Sequence, residues 1–357
     1  MKKIKVMITL CLLLLSGCSA SNEIVDELAL ISAIGFDLTD DNKLQGTITV
    51  PNFQSDKTVT TEVFTETGTL IQEIEAKLNS EANQPLAIGK LEVILYNEKV
   101  AKQGIRKMKD VFVRDPSVGS RARMAVVEGN TKDVLTREYW THGAGLYLAE
   151  MFDQNFINGR MPQSNIHLFT FALYSKGMDP FLPLVSVGKM VKINQIALFK
   201  EDKYVGKLPE DKTFTFHAMK DNFQDATYMI KKEQGEVSAA VNNIMSTRTV
   251  DFGENIKDPK ITINIRLEGI LREFKTEEEV DKQKVNKIEK QMEDQMEQEA
   301  KEIIQTLQEL NVDPLGLGNK YRGLNRNFDE KKWDEMYKDL DITANVNVII
   351  REFGIRR

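Results

Sequence analysis

Two alternating stretches flank one long amphipathic stretch near the end of the chain, and few folds accommodate all three. In Lys260-Ile261-Thr262-Ile263-Asn264-Ile265-Arg266-Leu267-Glu268 every second residue is apolar. Side chains of a strand point alternately to opposite faces, so this segment predicts a strand with one buried and one wet face. Asp341 to Ile350 repeats the pattern. Between them, Val285, Ile288, Met292, Met296, Ala300, Ile303, Ile304, Leu307 and Leu310 recur at steps of about three or four. This is one apolar stripe on a highly charged helix. Thr276-Glu277-Glu278-Glu279 has the form of a capping box, and Asn311 and Pro314 stop the helix. A coiled-coil seam is the competing reading. The spacing is not strictly heptad and the strands need a cover, so the stripe is expected to lie across one face of an antiparallel sheet.

The first half reads as alternating strands and helices. Leu28–Asp37 is a largely buried strand, Asp40-Asp41-Asn42 a turn, and Leu44–Pro51 a returning strand that Pro51 ends. Val59–Thr67 is a third strand, and Leu70, Ile71, Ile74 and Leu78 have helical spacing. Leu91–Tyr96 and Arg121–Glu128 are further strands. Asn97 is placed to cap a helix with Val100, Ala101, Ile105 and Met108 on its buried side. Thr131–Tyr139 and His142–Asn158 read as helices, then Pro180, Pro183 and Gly188 interrupt the chain. Val191–Phe199 and Thr213–Phe216 read as strands. The expected fold class is α+β. A mixed α/β domain, with room for two subdomains, spans 23–190, and an antiparallel sheet covered by the long helix spans 191–357.

The opening segment has a different character. Lys2, Lys3 and Lys5 precede Val6–Leu15, a run of about ten mostly apolar residues, and small residues follow. That is the plan of a secretory signal, and the run is too short to span a bilayer. It ends in Leu15-Ser16-Gly17-Cys18, which resembles the bacterial lipobox. The resemblance implies that Cys18 carries a diacylglycerol, that 1–17 are removed and that 18–22 form a lipidated tether. An ordinary signal with a chance cysteine is the bland alternative.

Composition narrows the partners. The chain has 357 residues, 41% hydrophobic and 29% charged, which describes a globular body. Its net charge is −6, and loss of the three signal lysines leaves −9. An acidic body argues against nucleic acid as a partner and against a broad electrostatic grip on anionic lipid. The two cysteines are Cys11, which leaves with the signal, and Cys18, so the mature body has no disulfide or cysteine metal site.

No catalytic set is visible. His142, His167 and His217 lack metal-site spacing, and there is no Gly-x-Ser-x-Gly elbow or phosphate-binding Gly-Lys-Ser/Thr loop. Gly316-Leu317-Gly318 follows a helix, the wrong setting for a dinucleotide. Asp37, Asp40, Asp41 and Asn42 would begin a calcium loop, but Ile48 stands where its closing Glu belongs. Arg114, Asp115, Arg121 and Arg123 could cluster, though surface pairing explains them equally well. No catalytic, cofactor or metal residue is expected.

Several stretches together resemble the Ger(x)C lipoproteins, the C subunits of bacterial spore germinant receptors. They are Glu27–Asp37 with the following turn and Thr47–Pro51, Leu91–Leu95 with the helix to Arg114-Asp115, Ile196–Phe199, Val205–Leu208 and Ile261–Gly269. The most specific passage is the close: the long helix, Asp313-Pro314-Leu315-Gly316-Leu317-Gly318, Trp333, an alternating strand and Gly354. One departure is Ser19-Ala20-Ser21, where family members often carry a tryptophan. The resemblance implies a non-enzymatic, lipid-anchored subunit working beside integral membrane A and B subunits at the spore inner membrane, and required for the response to nutrients. Only Cys18 carries over as a functional residue. A lipoprotein that binds a solute and delivers it to a transporter is the alternative, and it would need two paired α/β lobes with a deep cleft.

Overall fold

The structure is a computed structural model that describes residues 27–53, 58–139, 143–231, 237–255, 259–274 and 281–353. Cys18, the signal and tether, His142, Gly354 and the expected capping box Thr276–Glu279 lie outside these residues.

The strands in chain order are β1 (Ala29–Leu30), β2 (Ala33–Leu38), β3 (Leu44–Phe53), β4 (Val59–Gly68), β5 (Leu86–Ala87), β6 (Val93–Asn97), β7 (Arg123–Glu128), β8 (Phe181–Val187), β9 (Val191–Lys200), β10 (Lys203–Leu208), β11 (Phe223–Lys231), β12 (Val237–Asp251), β13 (Ile261–Phe274) and β14 (Ile342–Phe353). The helices are α1 (Ile71–Glu81), α2 (Glu98–Gln103), α3 (Arg106–Arg114), α4 (Thr131–Leu135), α5 (Gly143–Ile157), α6 (Ile166–Tyr174), α7 (Thr213–Lys220), α8 (Lys282–Glu309), α9 (Leu317–Leu324) and α10 (Glu330–Tyr337).

Eight strands form the first sheet in the order β10-β9-β8-β7-β6-β2-β3-β4. The inner four, β8, β7, β6 and β2, are parallel, and antiparallel strands flank them on both sides. Strands buried on both faces read as continuous apolar runs, and Val93-Ile94-Leu95-Tyr96 is fully buried. Its residues divide between two cores. Ile94 and Tyr96 pack with α2, α3 and α6, while Val93 and Leu95 pack with α4 and α5. The result is a sheet sandwiched between helical layers. Asn97 caps α2 as expected, its Oδ1 accepting the Val100 N–H at 2.8 Å.

Two strand assignments need correction. Pro51 does not end its strand; β3 runs to Phe53 and Pro51 pairs with Thr61. The Thr49 carbonyl accepts the Ser32 N–H, so alternate residues of β3 face β2. Pro51, two residues on, faces the same way but lies past the β2 pairing, where a ladder donor is not needed. Thr213–Phe216 is not a strand but the start of α7. A four-residue alternation cannot separate a period of 2 from one of 3.6, and Thr215, Phe216, His217, Ala218 and Met219 are all buried. The boundary that the sequence places near 190 falls at the turn of a hairpin, where β8 pairs with β9 from Val187↔Val191 onward. The first sheet therefore continues to Leu208, with Pro183 inside β8.

The second sheet runs β11-β12-β13-β14. It is antiparallel through β13, and α8 covers it as the stripe requires. Val285, Ile288, Met292, Met296, Ala300, Ile303, Ile304 and Leu307 are all buried. The last pair, β13 with β14, is parallel in register Ile261↔Ile342. The reason is length. A 28-residue helix spans about 42 Å at 1.5 Å per residue, close to the roughly 46 Å of the 14-residue β13, so it returns the chain to the end where β13 began. The helix starts at Asp281, whose Oδ1 accepts the Lys284 N–H at 2.8 Å. The core under α8 also takes in Ile196, Leu198 and Leu208 from β9 and β10, so the two halves share apolar packing.

Candidate functional site

A densely connected polar site lies where the two halves meet. After α6 the chain turns at Gly177, with φ +70°, and passes against the Asp313–Gly318 turn. A Cβ on Gly177 would stand 2.5 Å from the Gly318 carbonyl carbon, and one on Gly318 would stand 2.4 Å from Trp333 Nε1. Both positions therefore need glycine for close approach. The backbones exchange hydrogen bonds: the Asp179 N–H donates to the Asp313 carbonyl (3.0 Å) and the Asn319 N–H to the Gly177 carbonyl (2.6 Å).

Two carboxylates close the joint. Asp179 Oδ2 accepts the Asp313 N–H at 2.9 Å and Lys200 Nζ at 3.2 Å. Lys200 Nζ also reaches Asp334 Oδ1 at 3.3 Å. Asp313 accepts the N–H groups of Leu317 (3.0 Å) and Gly318 (2.7 Å), satisfying the first turn of α9. Trp333 stacks on Tyr321 at 5.2 Å and is buried beside this turn. Burial pushes the Asp313 carboxyl up to about 6, although the Gly318 and Leu317 N–H groups pull it down. Burial likewise raises Asp179, with Lys200 opposing. Burial disfavours the Lys200 charge, but Asp179 and Asp334 outweigh it and its pKa rises. Nearby Lys220 is pushed down to about 8 by burial. Asp313 and Asp179 are buried, with Asp313 only 3% exposed, while Lys200 and Asp334 are half-buried at the rim, and the visible chemistry of the cluster is fastening. The Asp313–Gly318 turn thus does more than stop a helix.

Other sequence candidates are dispersed. Asp37 turns inward and accepts the Thr131 N–H (2.7 Å), Thr131 Oγ1–H (2.8 Å) and Lys132 N–H (3.0 Å), capping α4. Burial raises its pKa against those three bonds. Asp41 instead pairs with Lys43 at 2.6 Å. Among the described residues no group of three or more His, Cys, Asp or Glu could hold a metal. His217 Nδ1 is 3.0 Å from the Gly159 carbonyl, its ring stacks on Phe223, and burial lowers its pKa; His167 is exposed on α6. Arg123 joins Glu92 and Asp153, while Asp115 accepts the Ser117 N–H, so the arginine-rich group does not assemble.

Sequence reasoning missed Asp179, Lys200 and Glu299. Glu299 is buried on the apolar side of α8, accepting from Tyr228 Oη (2.9 Å), Gln295 Nε2 (2.9 Å) and Thr215 Oγ1. Its signal was available: it sits between Met296 and Ile303 on the stripe. An open cleft of about 650 Å³ lies between Val59–Val63 of edge strand β4 and the segment Leu135–Tyr139. Tyr139, which also lines it, donates its hydroxyl to the Val134 carbonyl at 2.8 Å.

These features define a two-part α+β protein whose halves are fastened by a buried polar joint. The chain belongs to the Ger(x)C family of spore germination proteins. The profile of the spore germination protein N-terminal domain matches residues 21–187, and that of the spore germination B3/GerAC-like C-terminal region matches 194–354. The chain is 28% identical over 345 residues to spore germination protein GerQC of Bacillus cereus, covering 96% of each. It is 22% identical to spore germination protein KC of Bacillus subtilis, covering 98% of this chain and 95% of that one. The crystal structure of the GerBC protein superposes with a TM-score of 0.58 at 20% identity, over 89% of this chain and 96% of that one, and shares the fold. No described helix is long and apolar enough to cross a membrane.

Proposed function

We propose that this chain is the lipid-anchored, non-enzymatic C subunit of a spore nutrient-germinant receptor. The carrying observation is that both halves match germination-protein profiles, in order, behind a Leu-Ser-Gly-Cys sequence. In this reading a diacylglycerol on Cys18 holds the body at the outer face of the membrane, where integral A and B subunits meet it. Two acyl chains give stable anchoring where one is marginal. The fastened joint suits a part that must present a fixed surface to neighbours. The solute-delivery alternative would place ligand in a cleft between paired lobes. Here the halves meet instead through Asp179, Asp313 and Gly318.

Cys18→Ala tests the reading. The expected result is loss of the protein from spore membranes and a weakened or abolished response to nutrients. A variant that stays membrane-bound and fully responsive overturns the anchored-subunit reading. Recovery of two polytopic proteins with the wild-type chain from spore membranes is the expected companion result.

A further inference from the structure

Helix α6 is apolar on two opposite sides. Ile166, Phe169 and Ala172 are buried against the first sheet. Two positions further on, about 200° around the helix, stand Leu168, Phe171 and Tyr174. They face outward, with Phe171 54% and Tyr174 60% exposed. An exposed apolar stripe of this kind marks an interaction surface. Helix α3 lies alongside. Lys109 Nζ sits 4.9 Å from the Tyr174 ring, and the Tyr174 hydroxyl donates to Asp110 Oδ1 at 3.5 Å. Val113, one turn after Lys109 and so on the flank nearest α6, is 47% exposed.

The surroundings are basic although the chain is acidic. Residues 106–121 hold five basic and two acidic side chains, and residues 160–176 hold two basic and no acidic ones, against a net charge of −6 for the whole chain. Lys107, Arg114, Arg121 and Lys176 are exposed there. The location also fits. Ala29 and Ile31, at the start of the described chain, pack in the same core layer as Met108, Phe112, Ile166 and Phe169. Cys18 precedes Glu27 by nine residues, a reach of at most about 30 Å.

We propose that the α3–α6 face rests on a bilayer containing anionic phospholipid, with Phe171 and Tyr174 at the headgroup boundary and the basic residues on the lipid phosphates. The proposal builds on the reading of Cys18 as the lipid anchor and adds a second contact that orients the body. Apolar and aromatic side chains rimmed by Lys and Arg are the pattern of an interfacial surface. Net charge hides this patch because it averages over the whole surface.

The mature body has no thiol besides Cys18, so Phe171→Cys in the full lipidated chain gives one site for an environment-sensitive fluorophore. Met245→Cys, 49% exposed on β12, is the control. In vesicles containing phosphatidylglycerol, nitroxide-labelled lipid is expected to quench the 171 probe by about half and leave the 245 probe unchanged. The quenching is expected to fall in phosphatidylcholine alone and in Lys107→Glu/Arg114→Glu. Protein that floats with the vesicles while its 171 probe stays unquenched overturns the surface and leaves the anchor standing. Protein that does not float overturns the anchor and this proposal together. Shielding of position 171 only after co-reconstitution with integral spore-membrane proteins also overturns it, with a protein as the occupant.

Discussion

Glu293 Oε1 accepts the backbone N–H of Val348 at 3.0 Å. The same bond recurs one turn away on each side, from Val346 to Glu297 (3.0 Å) and from Ile350 to Glu289 (2.7 Å). Four helical residues advance about 6 Å and two strand residues about 6.6 Å, so the two repeats stay matched over both steps. Strand β14 is the last in its sheet, and its outward N–H groups would otherwise be open to another strand. Helix α8 thus covers a sheet face with its apolar stripe and seals a sheet edge with carboxylates.

Replacing Glu289, Glu293 and Glu297 together by alanine is expected to cost about 1 kcal/mol per lost bond. The triple variant is also expected to self-associate through β14. Urea denaturation and light scattering after size exclusion measure the two effects. A monomeric variant of unchanged stability would show that the ladder protects nothing.

Asp313 gives a pH signature. Its folded pKa of about 6 lies above the ordinary 3.8, so the folded state binds the proton more tightly than the unfolded state. This group's contribution is therefore present below about pH 4 and lost as pH rises through about 6. The two-unit shift corresponds to at most about 3 kcal/mol. Compared with Asp313→Asn, wild type should lose relative stability between pH 4 and pH 7. A flat difference over that window would contradict the buried-carboxyl account.

Glu299→Ala leaves the Tyr228 and Thr215 hydroxyls without their acceptor inside the core and is expected to cost about 2–4 kcal/mol. Glu299→Gln keeps an oxygen for Tyr228 and should cost far less. Equal losses for the two, read from denaturation midpoints, would mean that shape rather than hydrogen bonding matters here.

Gly318→Ala drives a methyl group into Trp333 and Gly177, and overpacking of this kind costs about 1–3 kcal/mol. Gly323→Ala, on the same helix, meets nothing within 4 Å and is expected to stabilise by about 0.5–1 kcal/mol. Thermal unfolding of the pair gives opposite shifts if the joint is as close-packed as it stands here.

Legibility followed the range of the forces involved. The α8 stripe, the Asn97 cap and the alternation of β13 were readable because period and capping are local. Thr213–Phe216 misled because its four residues look like a strand, yet burial on all sides and the preceding turn at Glu210–Lys212 favour a helix. Strands β11 and β12 were missed, and their ladder carries several register shifts. Of the joint, the Asp313–Gly318 turn was visible, but its partner Asp179 lies 134 residues away and carries no local signal.

By itself the sequence determined the helix that organises the second half, the α+β class and the family resemblance, since each rests on residue order or composition. Only the tertiary structure decided that β14 runs parallel to β13, that the first sheet reaches Leu208, and that Asp179 and Asp313 share a buried joint. Those outcomes depend on which distant surfaces meet. The matching lengths of α8 and β13, and the desolvation of paired carboxylates, exist only once the chain has closed on itself.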